Sequence, residues 1–132
     1  MNKLILTTLV FAAVSTAVVP PVTDNNAGIS CNAWAIVPNT ADVTANCQDT
    51  SGTFHGARIS ISTCVVNEDG NLSCRNNGGA GSTCILTNIA GTLGNAVVNV
   101  DASCLEDDGN RNTVTNFNIG ACLTNDDGEL TC

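Results

Sequence analysis

Aromatic residues are nearly missing from this 132-residue chain: no tyrosine, one tryptophan and three phenylalanines. Cations are as scarce, with four Lys and Arg against twelve Asp and Glu, and histidine occurs once. Each absence excludes something. Without aromatics, a core must be filled by branched aliphatics. With a formal charge of −8 the surface cannot neutralise phosphates, so nucleic acid and anionic membranes are poor partners. No Cys-x-x-Cys pair occurs, the closest cysteines standing ten apart, and this excludes the usual structural zinc sites. Helical signals are thin too: Ala, Leu, Glu and Lys do not cluster with a 3.6-residue period. Short alternating segments of Val, Ile, Thr and Asn between Gly and Asn/Asp clusters predict an all-β fold.

The one long apolar run, LILTTLVFAAV (4–14), follows Met1-Asn2-Lys3 and precedes the small residues Ser15-Thr16-Ala17. That pattern predicts a signal peptide over 1–17. A membrane anchor would need about 20 apolar residues, and Pro20-Pro21 interrupts soon after. The expected organisation is therefore a signal peptide at 1–17, an extended or mobile lead-in at 18–27 and one domain at 28–132, secreted to the extracellular space. Removing 17 of 132 residues leaves 115, with three arginines against twelve acids (−9) and all eight cysteines. An even cysteine count in a small secreted chain predicts a disulfide framework.

Those cysteines write a pattern twice. They stand at 31, 47, 64 and 74, then at 84, 104, 122 and 132. VTANC (43–47) matches VDASC (100–104), and CVVNEDGNLSC (64–74) matches CLTNDDGELTC (122–132). The domain is thus a tandem duplication of repeats 28–74 and 82–132, joined by the glycine-rich, flexible segment RNNGGAGS (75–82). The repeated sentence reads as a β-hairpin. A three-residue loop, Glu68-Asp69-Gly70 or Asp126-Asp127-Gly128, would set the flanking thiols directly opposite. On that spacing the expected bridges are Cys64–Cys74 and Cys122–Cys132, with Cys31–Cys47 and Cys84–Cys104 as the remaining pairs that respect the repeat. Each bridge closing about 15 residues would contribute roughly 3 kcal/mol. The expected interior consists of Ile36, Ile59, Ile61, Val65, Leu72, Ile85, Leu93, Val98, Ile119, Leu123 and Leu130. Val65 lies on one hairpin face and Val66 with Leu72 on the other, so the hairpin is sandwiched rather than laid on a surface.

Other chemistry is weakly signalled. A calcium loop counted back from Gly70, Gly109 or Gly128 begins at Val65, Cys104 or Leu123, none a ligand. His55 is expected in a loop, between Phe54 and Gly56, with no motif to make it catalytic. The paired acids Asp107-Asp108 and Asp126-Asp127 sit beside turn glycines, as solvated carboxylates do. No enzyme is expected. Asn71-Leu72-Ser73 is a glycosylation sequon, although a tight hairpin just before Asn71 hinders modification.

With these motifs in place, the chain resembles the cyanovirin-N homology family over about residues 28–132. The features are SC…VTANC…G…ISISTCVVNEDGNLSC and TC…VDASC…G…FNIGACLTNDDGELTC. The resemblance implies two pseudo-symmetric halves, 28–63 with 122–132 and 64–121. Each combines a three-stranded sheet from one repeat with a hairpin contributed by the other. It implies the bridges Cys31–Cys47 and Cys84–Cys104. It also implies a lectin that binds mannose-type oligosaccharides without metal or cofactor. The first pocket would use Ile29, Ser30, Gln48, Asp49, Thr50, Asn125, Asp126 and Asp127. The second, weakened or retuned, would use Asn67, Glu68, Asp69, Ser82, Thr83, Glu106 and Asp107. For any one of these, turn formation is a competing role. The exchanged hairpins make a monomer or a domain-swapped dimer the expected states. A secreted cysteine-rich structural or effector protein that kept the fold and lost sugar binding is the alternative.

Overall fold

The computed structural model describes residues 23–132. The expected signal segment and most of the lead-in fall outside the described residues. Eleven strands follow in order: β1 (Thr23–Asp24), β2 (Cys31–Ile36), β3 (Asp42–Gln48), β4 (Phe54–Ser60), β5 (Val65–Glu68), β6 (Asn71–Cys74), β7 (Cys84–Gly91), β8 (Val98–Leu105), β9 (Arg111–Asn118), β10 (Thr124–Asp126) and β11 (Glu129–Thr131). Four short 3-10 turns, at 27–29, 61–63, 80–82 and 119–122, repeat the same two positions in each half. No described helix is long and apolar enough to cross a membrane.

Strands form where the sequence alternates. In β8, Val98, Val100, Ala102 and Cys104 are buried while Asn99, Asp101, Ser103 and Leu105 are not. In β3, Val43, Ala45 and Cys47 play the same part. β2-β3-β4 and β7-β8-β9 are antiparallel three-stranded sheets, each bent by a bulge in its first strand. The hairpin β10-β11 belongs to the second repeat but packs on β4 of the first. The hairpin β5-β6 belongs to the first repeat and packs on β9 of the second. Both repeats thus complete each other. β1 adds a third strand to the C-terminal hairpin through Asp24–Asn125 pairing.

The hairpins correct the sequence-based bridges. Glu68 pairs with Asn71 and Asp126 with Glu129, so both loops have two residues, Asp69-Gly70 and Asp127-Gly128. All four take positive φ, at 49° and 83°, then 51° and 95°. This is the turn that matches strand twist, and Asp-Gly suits it. The shorter loop moves the register by one, so Cys74 faces Val65 instead of Cys64. A one-residue shift turns a side chain to the other face of the hairpin. The expected Cys64–Cys74 and Cys122–Cys132 bridges are therefore replaced by Cys64–Cys132 and Cys74–Cys122. Each joins the third cysteine of one repeat to the fourth of the other. Cys31–Cys47 and Cys84–Cys104 pair within their sheets.

The core is a continuous cluster of aliphatics and half-cystines. It includes Val43, Ile61, Val65, Val98, Val100, Ile119, Leu123 and Leu130, with Trp34, Ile36, Ile59, Leu72 and Phe117 half-buried against it. Val65 and Val66 are both buried, as a sandwiched hairpin requires. Two expected core residues are not in it. Ile85 points outward between Cys84 and Leu86, and Leu93 sits in a turn; both are exposed. The glycine-rich joint also differs from a flexible linker. Arg75, Asn77 and Gly79 donate to the carbonyls of Cys64 (2.8 Å), Thr63 (2.6 Å) and Ser62 (2.9 Å). Gly78 is needed for close approach, since a Cβ there would collide with the Val65 backbone.

Bridge topology has a simple chemical check. Complete tryptic cleavage at Arg58, Arg75 and Arg111 of the unfolded, unreduced protein separates residues 59–75 from 112–132. The cross-repeat bridges hold these two peptides in one doubly linked species by mass spectrometry. Their release as two separate peptides would restore the within-hairpin pairing. Removing Cys74–Cys122, which spans 48 residues, should cost about 4 kcal/mol in denaturant unfolding, against about 3 for Cys31–Cys47.

Candidate functional site

Each end of the molecule is built by one asparagine. Asn125 of β10 is wholly buried. Its Nδ2 donates to Ser30 Oγ (2.7 Å) and to the Gln48 carbonyl (2.9 Å), and its Oδ1 accepts from Gly128 N (2.9 Å). Asn67 of β5 repeats this: Nδ2 donates to Thr83 Oγ1 (2.9 Å) and the Leu105 carbonyl (2.8 Å), and Oδ1 accepts from Gly70 N (2.9 Å). All three hydrogen-bonding positions of the amide that face protein are used. The aspartate two residues on closes the clamp. Asp127 Oδ1 accepts from Thr50 N and Asp69 Oδ1 from Asp107 N, both at 2.8 Å.

The predicted residues therefore do come together at two ends, in two different roles. Ser30, Asn125 and Asp127, like Thr83, Asn67 and Asp69, bind the exchanged hairpin to the sheet that receives it. At the first end Ile29 and Asp126 are exposed, and Gln48 and Thr50 are half-buried. The last three have no side-chain partner among the described residues. At the second end the outward groups are Glu68, Glu106 and Asp107, while Ser82 Oγ is turned back to the Gly79 carbonyl (2.9 Å). Hollows of about 310, 420 and 530 Å³ lie elsewhere on the surface, and none is lined by these residues.

Asp49 organises the first end. Its Oδ1 accepts from Ser51 N (2.8 Å), Ser51 Oγ (2.7 Å) and Thr53 N (2.9 Å), and its Oδ2 lies 2.6 Å from His55 Nε2. The Ser51 hydroxyl first, then His55 and the backbone amides, hold its carboxyl well below the usual carboxylate range. The Ser51 hydroxyl is bonded to Asp49, and among the described residues no hydroxyl is hydrogen-bonded to His55 as a triad would require. His55 was expected in a loop. It lies in β4, where its ring packs on Gly128: a Cβ added there would stand 3.0 Å from the imidazole. Asn112 holds the same place at the second end and donates to the Gly70 carbonyl (3.0 Å). Sequence reading missed this pair of props. Their signal was position, eight residues after the second cysteine of each repeat. Asn71, the sequon residue, is exposed at the start of β6, with Nδ2 3.3 Å from the Asp69 carbonyl. Among the described residues, no group of three His, Cys, Asp or Glu could hold a metal ion.

Two outcomes follow from this wiring. Asn125→Ala strands a buried hydroxyl and a carbonyl and should cost about 3 kcal/mol in urea unfolding, with Asn67→Ala costing roughly half because it is less buried. Negligible losses at both positions would show that the clamps do not hold the hairpins. Asp49 binds its proton more weakly in the folded state than unfolded. Its contribution is present above the ordinary carboxylate value of about 3.9 and is lost as pH falls through its lower folded value. The melting temperature should fall on acidification below about pH 4, and Asp49→Asn should flatten that slope.

A family model, the CVNH domain, matches residues 29–131. Among solved structures, a microvirin–mannobiose complex superposes with a TM-score of 0.61 at 21% identity, over 80% of this chain and 96% of that one. The CVNH protein of Gibberella zeae does so with 0.61 at 20% identity, over 82% and 97%. A designed cyanovirin-N homolog lectin gives 0.61 at 16%, over 80% and 97%. No curated protein matches the sequence. The exchanged hairpins, the duplicated clamps and the family match over nearly the whole described chain make it a member of the CVNH-domain family.

Proposed function

We propose that the protein is a secreted, non-enzymatic lectin that binds mannose-type oligosaccharides without metal, mainly through its first end. One observation carries the reading. The clamp at Asn125 and Asp127 bonds the Ser30 hydroxyl, the Gln48 carbonyl and the Thr50 N–H, which fixes the backbone of both segments and leaves the Gln48 amide, the Thr50 hydroxyl and the Asp126 carboxylate without side-chain partners among the described residues. Vicinal sugar hydroxyls need such paired groups, already ordered, so that binding costs little side-chain entropy. Family membership supports the lectin class, and the fold shared with microvirin, solved with mannobiose, supports the sugar. Four disulfides support an oxidising compartment and so secretion from the 1–17 signal. The domain is read as 28–132, preceded by the short lead-in, and the joint's fixed bonds favour the monomer.

The second end favours a narrower reading for that half, a scaffold that has lost or retuned sugar binding. Its outward groups are mostly carboxylates, which repel one another and offer no donors. Amide NMR of the oxidised protein titrated with α-linked mannobiose separates these. Shifts are expected at Ser30, Gln48–Thr50 and Asp126–Asp127, and not at Glu68 or Glu106–Asp107. Gln48→Ala should weaken binding about tenfold, the loss of one good hydrogen bond. No shift at millimolar sugar would remove the mannose reading and leave the structural or effector alternative.

A further inference from the structure

The two repeats differ most in one connection. The first and second cysteines lie 16 apart in repeat one and 20 apart in repeat two. The extra residues lengthen the β7-β8 hairpin and end it in a β-turn, Thr92–Asn95, closed by Asn95 N to the Thr92 carbonyl (3.1 Å), with Gly94 at φ 81°. The turn does not hang free. Gly94 N donates to the carbonyl of Ile29 (3.1 Å), and the Asn95 carbonyl lies close over Gly28. A device of the second repeat is thus docked on the first end.

The docking leaves apolar side chains in solvent. Leu93 and Ile29 are each 46% exposed and Val97 is 42% exposed. Single exposed apolar residues need no explanation. Among the described residues, three of the five large exposed apolar residues belong to this connection or to the residue it docks on. The other end is built differently. The residue two before its first cysteine is Ser82 where the first end has Ile29, and the β2-β3 connection that approaches it is shorter. Beside it lies a hollow of about 530 Å³ lined by Ile36, Pro38, Ala41, Gly81, Ile85 and Leu86, so its apolar surface is an indentation against the β2-β3 connection and not a docked turn.

A pyranose is amphipathic: hydroxyls rim the ring, and C–H groups cover its face. Polar groups of the first end can satisfy the rim of one or two units. An apolar shelf beside them suits the C–H face of the next unit, because covering it removes apolar surface from water on both sides. We propose that the Thr92–Asn95 turn is a specificity element of the first end. Leu93 with Ile29 forms a shelf for a further sugar unit, so that this end prefers longer oligomannosides to the disaccharide. The inference rests on the glycan-binding reading above.

Calorimetric titration of the oxidised protein with α-linked mannobiose and with a linear α-linked mannotriose tests it. The wild type should bind the triose several-fold tighter. Leu93→Ser should reduce the triose-to-biose affinity ratio by roughly fivefold, the worth of part of a leucine surface, and Leu93→Phe should keep it. Because Leu93 is exposed, neither variant should disturb the fold, and an unchanged amide spectrum away from the turn checks this. Equal wild-type affinity for both sugars, or a ratio indifferent to Leu93→Ser, overturns the shelf while leaving the lectin intact. No wild-type binding of mannobiose overturns the mannose reading itself, and the shelf with it.

Discussion

Two amide side chains, Asn125 wholly buried and Asn67 half-buried, hold this architecture together. A hairpin contributed by one repeat has to find the sheet of the other, and Asn67 and Asn125 supply the attachment. Each amide offers two N–H donors and one carbonyl acceptor, spent on a hydroxyl, a strand carbonyl and the glycine N–H of its own turn. Inside a protein such a set is strong when complete and costly when broken. The glycine bond fixes the turn, and the other two fix the turn against the neighbouring repeat. Local hairpin geometry and long-range assembly are thus set by the same three bonds.

The bridges reinforce that exchange. Cys64–Cys132 and Cys74–Cys122 span 68 and 48 residues and tie each hairpin to the repeat it came to complete. A core poor in aromatics buries less surface per residue than most, so constraints on the unfolded chain matter more. The joint between repeats follows the same logic. Its glycines let the backbone press against Val65, and its amides are bonded to the 62–64 carbonyls.

Function is laid over this symmetry unevenly. Both ends share the clamp, yet Asp49 with His55 at one corresponds to Glu106 with Asn112 at the other, and Ile29 to Ser82. The first end keeps the neutral Gln48 and Thr50 and the apolar Ile29 beside the carboxylates Asp49 and Asp126, a mixture that suits the polar rim and apolar face of a sugar. The second keeps carboxylates. Clamp residues and outward groups are separate at both ends, so losing recognition through the outward groups costs the fold little, whereas changing the clamp costs much. This explains how a duplicated scaffold can keep one end for binding and let the other drift.

Much of this was legible in the chain. Alternation in VTANCQ and VNVDASCL dictates strands, the cysteine spacing reveals the duplication, and the family pattern identifies the exchanged hairpins and the clustered polar residues. The outward placement of Ile85 and Leu93 was not, because an aliphatic residue between two core residues, or in a turn, looks the same in composition as one inside. Nor was the division of the polar cluster into clamps and free groups, since asparagine in a turn and asparagine on a ligand share one chemistry. The disulfide pairing is the clearest case. By itself the sequence determined that two Asp-Gly hairpins would form with cysteines at their bases. Only the tertiary structure decided which thiols meet. A loop of two or of three residues is nearly equivalent locally, but it sets which face each cysteine turns to, and that face is chosen by contacts with a repeat more than forty residues away.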